Sequence, residues 1–338
     1  MPKILTVMGW NIENFGDSKY DDDNGGDELI EYIATVVHTY NADVVGFCEL
    51  RSKRAADVGK KLKKKLDTKQ GGTHWQYKAS QQFGKKRWEE YLFIWRSNKV
   101  TSYAGGPTGQ KFQSSFDNPA GSPKKIGFPR QSALDRPPFL GYFEVPVPGG
   151  SSTTKKQVLI AVMHSPAPNP LFRPKEAAQN MAKVKPFKNK GDACLLMGDF
   201  NVKMVADASV VGSKGEKAFG DLIAAGFEQL IKGDIATSLA SKKYVPTAVG
   251  DYLLSPYDQL FFRTKSTTGI TTNNPGAEDL VEDSYNGGYL EAKLAAIIDK
   301  DHGNSAGTTT FGTDLTSAFQ YFRIYVSDHM PVITEIHA

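Results

Sequence analysis

Cysteine is nearly missing from this chain: its 338 residues include two, Cys48 and Cys194, each inside an apolar run. That excludes a disulfide framework of the kind small secreted domains depend on. It also reads each thiol as a small buried hydrophobe rather than a nucleophile, although two strand cysteines could still pair with each other. Long hydrophobic runs are absent as well, and no window nears the ~20 apolar residues that a membrane-spanning helix needs. The apolar start, residues 1–8, is too short for a signal peptide and reads as a first strand. A reducing, cytoplasmic compartment is therefore expected, with delivery outside the cell by another route left open. There is no internal repeat. Nor does one charge dominate: 41 Lys and Arg stand against 37 Asp and Glu, a net +4 that suits a polyanionic partner without requiring one.

With 40% hydrophobic residues the chain can bury one large core. Short runs rich in Val, Ile, Leu, Phe and Tyr predict strands at about 3–10, 43–48, 90–96, 139–146, 157–164, 193–198, 258–263 and 330–336. Between them, Leu29, Ile30, Ile33, Val36, Val37 and Tyr40 keep helical spacing, with Asp27 placed to cap the first turn. Ser52 is placed to cap a second helix with Ala55, Val58, Leu62 and Leu66 on its apolar stripe and Lys60, Lys61, Lys63, Lys64 and Lys65 on its wet face. Further helices are predicted after Pro174 and over roughly 215–225. The alternation, with no polar linker, predicts a single domain over 1–338 of the α/β or α+β class. Residues 101–135 read as loops, and 264–325 as an insertion that decorates the core and contains a helix from Glu278 to Asp299.

Several predicted strands begin or end in polar groups that do nothing for stability. Leu195-Leu196-Met197-Gly198-Asp199-Phe200-Asn201 is the clearest: an apolar strand stops in an acid, an aromatic and an amide. On an extended backbone Asp199 and Asn201 fall on one side, and two converging oxygens suit a hard cation or a phosphate beside it. A simple turn opened by Gly198 and closed by Asx hydrogen bonds would look the same. Asn11 and Glu13 end the first strand. Glu49 and Arg51 end the second, on one side by the two-residue period. His164 ends Val158–Met163, Asp258 opens Gln259–Phe262, and Asp328-His329 opens the last strand. Strand ends that meet in one crevice are where α/β proteins place their sites.

In order, Trp10-Asn11-Ile12-Glu13, Glu49-Leu50-Arg51, Glu89-Glu90-Tyr91-Leu92-Phe93, His164-Ser165-Pro166-Ala167-Pro168, Gly198-Asp199-Phe200-Asn201, Tyr257-Asp258 and Ser327-Asp328-His329 resemble the endonuclease/exonuclease/phosphatase superfamily, most closely its deoxyribonuclease I branch. The resemblance runs from Asn11 to His329. It implies a four-layered sandwich of two mixed β-sheets flanked by helices. It implies one Mg²⁺, with Mn²⁺ as a substitute, held mainly by Glu49 and supported by Asn11, Asp328 and Asp199. It further implies a catalytic pair, His164 oriented by Glu89 and His329 oriented by Asp258. One of these deprotonates the attacking water and the other protonates the leaving oxygen, although some relatives give water activation to the acid that Asp199 matches. Asn201 corresponds to the amide that binds the scissile phosphate, and Arg51 and Arg136 to groups that contact DNA. Arg87 stands where a tyrosine packs on the sugar, so groove contacts are expected to differ there, and Gln259 departs from an arginine common among relatives.

The expected activity is Mg²⁺-dependent hydrolysis of DNA to 5′-phosphate and 3′-hydroxyl ends by a monomer with DNA as partner. A lipid or inositol phosphatase or sphingomyelinase of the same superfamily would keep the metal and histidines but need an apolar rim. A catalytically silent binding module would need none of these groups. Lysine-rich stretches at 60–65, 122–125 and 183–190 read as phosphate-tracking surface or as plain solvated faces.

Overall fold

The computed structural model describes residues 1–83, 88–105, 109, 111–113, 138–149, 154–165, 191–202, 219–220, 222–232, 235–265 and 268–338. Its strands are β1 (Lys3–Phe15), β2 (Val44–Leu50), β3 (Trp75–Ala79), β4 (Glu90–Arg96), β5 (Thr101–Ser102), β6 (Phe112–Gln113), β7 (Phe139–Pro146), β8 (Lys155–His164), β9 (Ala193–Asp199), β10 (Glu228–Gln229), β11 (Ser238–Leu239), β12 (Leu253–Ser255), β13 (Asp258–Thr264), β14 (Thr271–Ala277) and β15 (Val332–His337). They form a six-stranded sheet in the order β14-β15-β1-β2-β4-β3. A seven-stranded sheet has the order β10-β13-β9-β8-β7-β5 with β6 also on β7, and β11-β12 make a small ribbon. Both large sheets are mixed: β1 and β2 are parallel, as are β8 and β9, while β15 and β13 run against them.

The period-2 alternation of each strand sorts its side chains into separate cores. Val7, Val44, Ile160, Val162, Leu195 and Met197 fill the space between the sheets. Met8, Trp10, Val45 and Phe47 face outward beneath the helices Gly26–Thr39, Ala55–Gln70 and Glu291–Asp301. Leu159, Ala161, Cys194 and Leu196 face the other way and meet Phe200, Phe219 and Leu222. Three cores separate four layers, so the fold is the predicted sandwich. Cys48 and Cys194 are both free, one in the inter-sheet core and one in the outer core.

Some local expectations change. Asp27 does not cap its helix: Gly25, with φ of 80°, holds the N-cap, and Asp27 pairs with Lys65. Ser52 is likewise not a cap, because the N–H of Ala55 is taken by Glu90 Oε2 from β4. Residues 264–325 supply β14, an edge strand on β15, together with Leu280, Leu294, Phe311 and Phe319 of the helical core. The helix placed at Glu278–Asp299 begins only at Glu291, because Asn286 and Gly287 adopt positive φ and break the run. The helix after Pro174 lies outside the described residues.

Candidate active site

Parallel β1 and β2 end at the same edge as parallel β8 and β9, while β13 and β15, antiparallel to them, begin there. Six strand termini therefore converge. Gly9 and Gly46, paired side by side, let the two sheets close in: a Cβ on Gly46 would overlap Val162 Cγ2 and Met197 Cε. Two residues further along the same inner faces lie Asn11 and Asp199, and Asn11 Nδ2 donates across the sheets to Asp199 Oδ2 at 3.1 Å. Small residues one step below the site thus set the distance across it.

Simple alternation would leave Glu49 facing away, because Cys48 occupies the inner face. Two irregularities re-aim it. Phe47 and Leu50 pair with Leu92 and Glu90, so β2 carries one extra residue, and Glu49 takes φ of 63°. Between Asn11 and Phe15 β1 has a larger bulge, with positive φ at Glu13 and Asn14. Bulges of this kind redirect side chains next to active sites. Glu49 Oε2 then accepts the Asn14 N–H at 3.1 Å, and its Oε1 lies 3.4 Å from Asn11 Nδ2 and 3.3 Å from His164 Nε2.

His164 ends β8, opposite Asp199 on β9. Its Nδ1 meets buried Glu89 Oε2 at 2.7 Å, while its Nε2 lies 3.2 Å from Asn201 Nδ2. His329 meets buried Asp258 Oδ2 through Nδ1 at 2.6 Å. Both Nε2 atoms point at one spot, each 3.6 Å from Asp199 Oδ2. Asn201 takes φ of 52°; its N–H donates to Asp199 Oδ1 at 2.7 Å and its amide to Ser165 O at 2.6 Å. This is an Asx turn, so the turn and the site reading of this motif describe the same residues.

Asp328 stands beside His329, its Oδ1 3.5 Å from Nε2, while Arg323 NH1 reaches its Oδ2 at 3.2 Å. Arg51 lies across the acids, 3.6 Å from Glu49 Oε2 and 3.4 Å from Glu89 Oε1. Arg87 and Arg136 lie outside the described residues. The sequence reading did not find Thr237, which hydrogen-bonds Asp258, nor Arg323, nor Trp10, whose indole donates to His329 O at 3.1 Å. A threonine in a loop and an arginine in a helical turn carry no local signal, and only the strand-end position of Trp10 next to Asn11 pointed there.

The electrostatics follow from crowding. Burial pushes the Glu49 carboxyl up, but the imidazoles of His164 and His329, the Arg51 guanidinium and the Asn14 N–H outweigh it and hold it at about 2. Burial raises Asp199 against the pull of both imidazoles, and Asp258 adds to the rise. For His164 burial opposes the charged form, yet Glu49, Glu89 and Asp199 raise it above its ordinary value. His329 is raised further, by Asp258 and Asp199 against its burial. Glu49, His164 and Asp199 bring ligand atoms within 4.8 Å of one another, and Asp328 Oδ1 is buried without a hydrogen bond. Carboxylate oxygens gathered in this way fit a hard divalent cation.

The chain matches the endonuclease/exonuclease/phosphatase family model over residues 8–329, nearly its whole length, and belongs to that family of hydrolases. Solved structures similar to it include a mannosyl-6-phosphatase from Bacteroides thetaiotaomicron VPI-5482, at 14% identity and TM-score 0.52, covering 99% of this chain and 100% of that one. A family protein from Leptotrichia buccalis C-1013-b aligns at 14% identity and TM-score 0.51 over 99% of this chain and 100% of that one. At such identities the likeness establishes the fold alone. No curated protein matches the chain in sequence.

Proposed function

We propose that the protein is a divalent-metal-dependent phosphodiesterase that cuts DNA, leaving 5′-phosphate and 3′-hydroxyl ends. One observation carries this reading. Two imidazoles, each backed by a buried carboxylate, aim their Nε2 atoms at the same Asp199 oxygen, so a phosphate beside Asp199 would have a proton-transfer group on either side. Mg²⁺ fits as the cofactor, held by Glu49 and Asp199 with Asn11 and Asp328 at hand, where it would neutralise phosphate charge. His329, kept protonated by Asp258, gives its proton to the leaving oxygen. His164, its ring fixed by Glu89, orients the attacking water and takes up its proton. The Asn201 amide offers the phosphate a neutral donor among many acids. Arg51 presents a cation at the mouth of the site, facing the acids.

Purified protein should be incubated with supercoiled plasmid, linear duplex, single strands, phosphoinositides and sugar phosphates, with Mg²⁺ or with EDTA. Plasmid nicking in Mg²⁺ that yields ligatable ends, and none in EDTA, is the expected result. Hydrolysis of phosphomonoesters with DNA left intact would overturn it in favour of a phosphatase.

A further inference from the structure

The helix Ala55–Gln70 starts at the site. Its first N–H is held by Glu90, the neighbour of the Glu89 that orients His164. Six of its residues are lysines, and together with Lys53 just before it they fall into two groups. Lys61, Lys65 and Lys69 form a ladder to Asp22, Asp27 and Glu31, and Lys63 pairs with Asp67 on its own helix. Lys53, Lys60 and Lys64 are exposed and have no ion pair among the described residues. Lys60 and Lys64, one turn apart and so about 6 Å along the axis, share a face. They line a groove of about 740 Å³ with Lys61, Lys63, Asp57 and Asp67. Of the two acids there, Asp67 is neutralised by Lys63 and Asp57 by Arg54.

Between Glu49 and this helix lies a further irregularity. Arg54 N–H donates to Arg51 O at 2.9 Å, closing a turn whose central residues, Ser52 and Lys53, both have φ near 60°. Glycine and asparagine suit that turn; serine and lysine are strained in it. Strain of this sort collects at functional sites, and here it sets Lys53 out into solvent between the site and the helix.

We infer that Lys53, Lys60 and Lys64 form a track for the phosphodiester backbone of a nucleic acid running away from the active site along this helix. The inference deepens the nuclease reading and rests on it. The unpaired lysines take the backbone, and the paired ones hold the helix to its neighbour.

The test is DNA binding in EDTA, measured by fluorescence anisotropy on a labelled duplex longer than the helix, over a salt series. Each phosphate contact contributes about 0.9 to the slope of log affinity against log salt, so the double variant Lys60→Glu and Lys64→Glu should flatten the slope by about 2. Between low and fourfold higher salt, the loss of affinity should then be about tenfold smaller than in the wild type. Lys69→Gln, which cuts a rung of the ladder, should leave the slope unchanged while lowering the melting temperature. An unchanged slope in the double variant overturns the track, even if DNA is cleaved. Binding through this face with no cleavage of DNA keeps the track and overturns the nuclease reading instead.

Discussion

Replacing Asp258 by Asn tests the acid–base assignment with little change of shape. In the native protein Thr237 Oγ1 accepts the Asp258 N–H at 2.8 Å and donates to Asp258 Oδ2 at 2.9 Å. The same Oδ2 also receives His329 Nδ1 at 2.6 Å, all in a buried setting. The carboxylate therefore fixes the ring, so that Nε2 faces the phosphate position, and its charge raises His329 above its ordinary value despite burial. Asparagine keeps an acceptor oxygen but removes the charge. A hydrogen bond to a charged group is worth about 1.5–3 kcal/mol. At about 1.4 kcal/mol per decade this predicts a roughly 10- to 100-fold slower chemical step. Loss of the imidazole altogether, in His329→Ala, should cost at least the ~10²–10⁴ typical of a general acid or base. Since His329 acts as the proton donor, activity falls as pH rises through its folded value. In Asp258→Asn that value drops, so the basic limb of the rate profile moves to lower pH. The raised histidine also stabilises the fold, fully below its unfolded value of about 6.5, and loses this as pH rises through the folded value. The melting-temperature gap between wild type and variant should therefore narrow toward alkaline pH. Single-turnover plasmid nicking across the neutral range measures the rate. A variant with the wild-type rate and an unmoved basic limb would refute the role of Asp258 and, with it, that of His329 as acid.

Glu49→Gln should weaken Mg²⁺ binding, read by titration calorimetry, by no less than the ~10–100-fold seen when an outer-shell group of a metal site is lost; unchanged affinity would move the metal elsewhere. Arg51→Ala should slow both DNA cleavage and hydrolysis of a small phosphodiester, because Arg51 spans Glu49 and Glu89 and so supports the His164 pair. A loss confined to DNA would make it a groove contact alone. Asp67→Ala should destabilise the fold by about 1–3 kcal/mol in urea unfolding, since Asp67 Oδ1 caps the N–H groups of His74 and Trp75 at 2.8 and 2.9 Å. Burial raises that carboxyl, but Lys63 and the two N–H groups hold it below its ordinary value. Its contribution is thus present above the unfolded value of about 3.9 and lost as pH falls through the folded one, and a deficit that persisted in acid would contradict this account.

What could be read from the sequence is what period and propensity control. The long central strands are visible because they are buried on both faces and so form continuous apolar runs, as in Val158–Met163 and Ala193–Met197. β14 is not visible: Thr271–Ala277 contains two asparagines, a proline and a glycine, and it is a strand only because β15 offers it an edge. Tertiary pairing overrides propensity there. The site divides along the same line. His164, Asp199 and Asp258 sit where unbroken strands place them, so their positions follow from counting. Glu49 and Arg51 do not, because counting by twos assumes a regular strand. The extra residue in β2 and the positive φ of Glu49 turn that acid toward the histidines, and Arg51 folds back over Glu49 and Glu89. A bulge has no propensity signature of its own, since nothing in Phe47-Cys48-Glu49-Leu50 disfavours a regular strand. What selects it is the environment. Regular alternation would place the Glu49 carboxylate under the apolar helices with Phe47, where it would be buried without a partner. The bulge instead lets Leu50 take that place and puts Glu49 within reach of Asn11, Asn14 and His164. The strain of the bulge is thus offset by avoiding a worse burial.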